Sequence, residues 1–348
     1  MSSRPSARIL AIDAGRLAAT SGIVWVHVSE VQGLSARAAA LGRFGTSFYI
    51  VAAVFMTALP FFARSRRSAR EVVRLRAKRL LIPYVLWSAI YAAFYLGTML
   101  PQGYALRDIV SLWGPLAGTA PHLWFLPFAF LASVVTAGLM PRLLALEERT
   151  LALALVACVL LSYGVVYGVL LPTLDHGGLA RLSLVRLGRY VEEAPLALSA
   201  LFGVALYGKH RRRLGRLGAQ RRRRLGVGLG LAFLFGQTAY FFALEPLRHL
   251  FWTEVRLFAN MLGSLLLSLC LAMRGNTVVA WLARFGRATY FAFLVHQLLL
   301  DLIKVPLAGV PGHGGLALAL LTTAGVFGAS LALGVWVPKV PGLRALVP

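Results

Sequence analysis

The chain has 348 residues, 59% of them hydrophobic and 14% charged, with a formal net charge of +24 and mean hydropathy of +0.74. A water-soluble fold of this size needs more polar surface than this composition supplies, which excludes a soluble enzyme. The charge does not indicate a nucleic-acid binder, because the basic residues sit in short stretches between apolar runs, where they set topology and face anionic headgroups or a phosphorylated ligand.

Runs of roughly 20 apolar residues, the length a helix needs to cross a hydrocarbon core about 30 Å thick, recur along the chain. Ten spans are predicted, near residues 9–29, 45–63, 80–100, 122–140, 151–171, 194–208, 225–244, 254–273, 288–305 and 315–337. The sixth is the shortest. Each must be helical, since backbone groups in lipid have no water partners and no barrel-like alternation is visible. The basic clusters fall into the stretches at 64–79 and 209–224, with Arg142, Arg149, Arg274, Arg284 and Arg287 after the fourth and eighth spans. All of these lie on one side if the N-terminus is cytoplasmic, as the positive-inside rule requires. Asp108, Asp175, His176, Glu192, Glu193, Glu245 and His249 fall on the other. Glu192 and Glu193, with Asp175 and His176, read as a solvated outer loop. The expectation is an all-α polytopic protein of about ten transmembrane helices, a single domain over residues 1–348, with both termini in the cytoplasm. The N-terminal stretch resembles a signal peptide in outline, but Asp13, Arg16 and His27 interrupt its apolar region, and it reads as a retained first helix. Cys158 and Cys270 lie inside apolar runs as small hydrophobes, and neither a disulfide nor a metal site is indicated.

The first span carries the chemistry-bearing residues Asp13, Arg16 and His27, with Glu30 just beyond. Ionisable groups at membrane depth are costly and mark function when they face a polar cavity. Arg16 and His27 are eleven residues apart, which at 100° per residue puts them on one face about 16 Å apart along the axis. They can line one passage from its two ends but cannot hydrogen-bond each other. The alternative is that Arg16 snorkels to the inner headgroups and His27 sits in the outer interface beside Trp25.

The stretch Ile12-Asp13-Ala14-Gly15-Arg16-Leu17-Ala18, followed by His27, resembles the first helix of membrane acyltransferase family three, which carries an Arg-x10-His motif after an Asp. Three further segments are similar to that family in the same order. They are Arg76-Ala77-Lys78-Arg79 leading to Pro83-Tyr84, then His122-Leu123-Trp124-Phe125-Leu126, then Gly286-Arg287-Ala288-Thr289-Tyr290 with His296 beyond. One departure stands in the second span. Many members carry Phe-Phe-x-x-Ser-Gly there, whereas this chain has Phe48-Tyr49 and then Ala52-Ala53.

The resemblance implies an enzyme of the cell (inner) membrane that moves an acyl group, commonly acetyl, from acyl-CoA to a hydroxyl of an envelope glycan or related acceptor. No tightly bound cofactor is implied, the donor being a substrate. His27 is the candidate base that takes the hydroxyl's proton, or the nucleophile that accepts the acyl group first. Arg16 can orient the donor or stabilise charge on the carbonyl oxygen, and Asp13, one turn earlier, can pair with it. Arg76 and Arg79, three residues apart on one helix face, are the candidates for the CoA phosphates. Trp124 reads as an interfacial anchor or an acceptor-side platform, and His296 as an interhelical hydrogen-bonding group or a second catalytic one. The run Arg221 to Arg224 reads as a topology and headgroup determinant. A transporter or flippase of a lipid-linked or small polar substrate has the same gross features and is the competing function.

Overall fold

In the computed structural model the described residues are 9–62, 68–103, 106, 116, 118–170, 182–244, 252–273, 275–311 and 313–341. Among them there is no strand. The helices are α1 (Leu10–Val31), α2 (Ala36–Ala40), α3 (Phe44–Phe62), α4 (Ala69–Met99), α5 (Phe125–Ala145), α6 (Glu148–Val165), α7 (Leu182–Gly215), α8 (Ala219–Ala239), α9 (Trp252–Ala272), α10 (Thr277–Leu282), α11 (Ala288–Ala308) and α12 (Leu316–Trp336). Single π-helical turns, Val166–Leu170 and Tyr240–Leu244, continue α6 and α8, and a 3-10 turn, Phe285–Arg287, leads into α11. The protein is an all-α polytopic membrane protein. Among the described residues, eight helical stretches are long and apolar enough to cross a membrane. Each of the ten expected spans meets a helix, but α1 and α9 are not among those eight. Helix α1 has 22 residues and is made polar by Asp13, Arg16, His27 and Glu30, and the apolar stretch in α9, Arg256–Ala272, is shorter.

Two basic segments expected as loops are largely helical. Helix α4 starts at Ala69, well before the apolar run at residue 80, because Ser68 caps it: the Ser68 hydroxyl accepts the Glu71 N–H at 3.2 Å. Ser68-Ala69-Arg70-Glu71 has the spacing of a capping box, and the Arg and Lys that follow are good helix formers. Helix α7 runs on to Gly215, and α8 starts at Ala219. Lys209, Arg211 to Arg213 and Arg221 to Arg224 therefore ride on helix ends. The basic residues of α7's last turn, Arg212 and Arg213, complement its macrodipole.

The expected outer loop at Glu192 and Glu193 is also corrected. Both belong to α7; Glu193 is buried, and the Tyr167 hydroxyl donates to the Glu192 carbonyl at 2.6 Å. Asp175 and His176 lie outside the described residues, as do Arg64, Arg274, Glu245 and His249.

The helices group into two compact units, one of Met1–Tyr49 with Leu217–Val347 and one of Ile50–Arg216. In the first, α1 is central and packs against α2, α9, α10, α11 and α12. Protein and not lipid therefore surrounds most of its polar residues, which is how a helix with this charge persists at membrane depth. Small residues allow close crossing: a Cβ on Gly42 would lie 2.0 Å from the Gly22 carbonyl oxygen, and one on Gly45 would lie 2.5 Å from that of Ala19. In the second unit α4 packs on α5, α5 on α7, and α7 on α6.

Candidate functional site

Asp13, Arg16, Thr20 and His27 follow one another at intervals of three, four and seven residues, so a single continuous helix carries them as one stripe. At its first end Arg16 Nη1 donates to Asp13 Oδ1 at 3.2 Å, with the Asp13 side chain 9% exposed and that of Arg16 20%. The pairing expected from their spacing is present, and it offsets the cost of burying either charge. Asp13 is wedged against the turn before α11. A Cβ on Gly286 would lie 2.3 Å from Asp13 Cβ, so only glycine fits there without displacing the carboxylate. One turn along, the Thr20 hydroxyl donates to the Arg16 carbonyl at 2.8 Å. The Tyr49 phenol of α3 lies 2.6 Å from Thr20 Oγ1 and 3.3 Å from the Arg16 carbonyl oxygen.

At the other end of the stripe, His27 and His296 of α11 come together with ring centroids 5.3 Å apart and planes inclined by 34°. His27 Nδ1 lies 3.3 Å from Glu30 Oε2, with the imidazole 17% exposed and the carboxylate 63% exposed. A carboxylate accepts, so this contact favours a proton on Nδ1 and leaves Nε2 as the basic nitrogen. His296 is fully buried, and its Nδ1 lies 2.8 Å from the Phe293 carbonyl oxygen. The carbonyl only accepts, so Nδ1 carries the hydrogen there too. The neighbouring Gln297 donates to Asp301 Oδ1 at 3.3 Å, and Lys304 pairs with the same carboxylate at 3.1 Å. The first unit thus brings Asp13 to Arg16 and His27 to His296, about three helical turns apart along α1.

The remaining expected residues belong to the second unit. Arg76 turns inward from α4. Its Nε donates to Thr57 Oγ1 at 2.9 Å, and its Nη2 donates to the Ala53 carbonyl at 2.7 Å. Thr57 Oγ1 in turn lies 3.1 Å from Ser133 Oγ of α5, and Ser133 donates to the Ala129 carbonyl at 2.7 Å. Arg79, three residues on, is exposed. Trp124 is buried in an aromatic cluster with Phe125, Phe128 and Tyr190. Arg189 lies over its ring at 6.0 Å, a cation–π distance. The indole is turned into the protein and is no open stacking platform.

Sequence reasoning missed Thr20, Tyr49, Thr57 and Ser133. Thr20 had a signal, standing four residues after Arg16 and seven before His27 on the same stripe. The other three had none, since their partners are on other helices. Among the described residues no group of three or more His, Cys, Asp or Glu side chains is placed to hold a metal ion.

A family model described as an acyltransferase domain matches residues 9–337 of this chain. No curated protein and no solved structure matches it.

Proposed function

The chain belongs to this acyltransferase family, and on that premise we propose that it moves an acyl group, acetyl in the first instance, from acyl-CoA to a hydroxyl of an envelope glycan or related acceptor. That it is a membrane acyltransferase follows from the family match across nearly the whole chain and from the eight apolar helices. The transporter reading without acyl transfer is set aside on the same ground. The observation that carries the finer reading is His27, a partly exposed imidazole whose Nδ1 faces Glu30 and whose ring lies beside His296.

In the reaction, the acceptor hydroxyl oxygen attacks the thioester carbonyl carbon while His27 Nε2 takes the hydroxyl proton. Collapse of the tetrahedral intermediate breaks the carbon–sulfur bond. The departing thiolate recovers the proton from His27, giving free CoA and the ester. The second route has Nε2 attack the carbonyl first: the carbon–sulfur bond breaks, the thiolate leaves with the Nδ1 proton as free CoA, and an acyl-imidazole remains, whose carbonyl the hydroxyl oxygen attacks, breaking the carbon–nitrogen bond and returning the hydroxyl proton to the ring. Arg16, held by Asp13 at the cytoplasmic end of the stripe, steers the donor inward and neutralises its charge. Arg79 and Arg76 of α4 serve the CoA phosphates. The basic-residue bias supports an orientation with both termini cytoplasmic, and the family resemblance supports the inner membrane as its location.

The test uses full-length protein in nanodiscs with radiolabelled acetyl-CoA, together with gene deletion and ester analysis of envelope glycans. Transfer or exchange of label, and loss of one glycan ester on deletion, support the proposal. Absence of any acyl exchange with acetyl-CoA sinks the donor assignment.

A further inference from the structure

We infer that Gln32, at the C-terminal end of α1, is a positioning residue that sets the depth and rotation at which His27 meets His296; this rests on the reading of His27 as the reacting imidazole. Gln32 lies five residues beyond His27, about 7.5 Å along the helix, and is 1% exposed. Its Oε1 accepts the Gly314 N–H at 3.0 Å. Gly314, with φ +81°, belongs to the connection between α11 and α12. One bond therefore ties the end of the helix that carries His27 to the segment that leaves the helix carrying His296.

The backbone closes α1 sharply at this point. The Gly33 N–H donates to the Glu30 carbonyl at 3.2 Å and the Leu34 N–H to the Ser29 carbonyl at 2.9 Å, with Gly33 at φ +63°, which is the bond pair of a Schellman end. Gln32 is the cap residue inside that motif, so the grip of its side chain on Gly314 passes to the turn that carries His27 and Glu30. The same half of α1 packs through Val24, Trp25 and Val28 on Leu300 of α11 and on Ala319 and Val326 of α12. Apolar contact is non-directional and tolerates sliding and rotation, whereas a hydrogen bond fixes both. At the other end of α1, Asp13 is wedged against Gly286, so the stripe is registered at its two ends.

Gln32 is a costly residue here for stability alone. Its Nε2 is buried and has no hydrogen-bond partner among the described residues, and burying an amide donor unmet is destabilising. Its neighbours Val31 and Leu34 pack on the apolar cluster, and an apolar side chain of the same length would avoid that cost. The place is filled by the residue that can hold Gly314.

The experiment measures steady-state transfer by the full-length protein in nanodiscs, from radiolabelled acetyl-CoA to the envelope-glycan fraction of the deletion strain. Thermal unfolding is followed on the same preparations. Gln32→Met keeps the reach and loses the acceptor. It is expected to lower kcat about tenfold or more with KM for acetyl-CoA within about twofold, and to unfold at or above the wild-type temperature because the unmet amide is gone. Gln32→Asn, one methylene short of Gly314, is expected to lower kcat to the same extent and serves if Gln32→Met does not fold. In the His27→Gln background Gln32→Met adds no loss, because the register acts through the imidazole.

Wild-type kcat in both Gln32→Met and Gln32→Asn, with His27→Gln inactive, overturns the positioning role and leaves the reading of His27 standing. A lowered kcat that is matched in both variants by a lowered unfolding temperature also overturns it, since Gln32 would then serve the fold alone. So does a further loss when Gln32→Met is added to His27→Gln. If His27→Gln keeps wild-type turnover, or the wild-type protein transfers no label, the reading of His27 fails and the positioning role goes with it.

Discussion

Replacing His27 by Gln tests the chemistry most directly. Glutamine keeps a polar side chain of similar reach and can still donate to Glu30, but it has no basic nitrogen. The imidazole is only 17% exposed and lies beside His296 at 5.3 Å, so the substitution alters a lined site and not a packed core. Its cost to folding is expected within about 1 kcal/mol. The loss in rate should be far larger. A positioned general base contributes about 10²- to 10⁴-fold, equivalent to roughly 3–5 kcal/mol of activation barrier. Glu30 provides the scale for comparison. Its carboxylate is 63% exposed and 3.3 Å from His27 Nδ1, and an exposed pair of this kind is worth up to about 1 kcal/mol. Glu30→Gln should therefore cost only about fivefold, by weakening the hold on the tautomer. The assay is single-turnover transfer from radiolabelled acetyl-CoA, with thermal unfolding and donor binding measured on the same preparations. His27→Gln turning over within about fivefold of wild type would refute both the base and the nucleophile roles. If it is inactive, label retained on acceptor-free wild-type protein and absent from the variant identifies the acyl-imidazole route.

Three further outcomes follow from the geometry. Arg16→Ala should lose acyl-CoA affinity whereas His27→Ala still binds it, as equilibrium binding in nanodiscs would show; equal affinity in the two would place the donor elsewhere. Gly286→Ala puts a methyl group 2.3 Å from Asp13 Cβ and should cost about 1–3 kcal/mol of stability, together with activity, by pushing Asp13 off Arg16. Unchanged thermal unfolding and turnover in that variant would show that the contact relaxes freely. Single cysteines at exposed positions within residues 64–79 or 209–224 should label only from the cytoplasmic side, and those at exposed positions within 101–121 or 172–193 only from outside. Labelling of either basic segment from outside would overturn the topology.

The sequence by itself determined the class of the molecule and the identity of its polar helix. Apolar runs of membrane-crossing length leave the backbone no choice but helix, and eight such helices are present among the described residues. The spacing of Asp13, Arg16 and His27 specified a shared face and an ion pair, because helical periodicity is local and needs no knowledge of neighbours. The same local logic, applied to hydropathy alone, began the third span at residue 80 and placed Glu193 in a solvated loop. Both failed for one reason: hydropathy locates hydrocarbon, whereas helix ends are set by caps such as Ser68 with Glu71 and by residues that propagate helix in either medium. Only the tertiary structure decided which distant groups meet. It set His296 beside His27, wedged Gly286 against Asp13 and brought Tyr49 to Thr20. It also turned Arg76 inward to Thr57 while leaving Arg79 exposed, although the two share a helix face. Each of these contacts joins separate helices, whose relative rotation and depth are fixed by close packing of small residues and interhelical hydrogen bonds, and no period along a single chain encodes that.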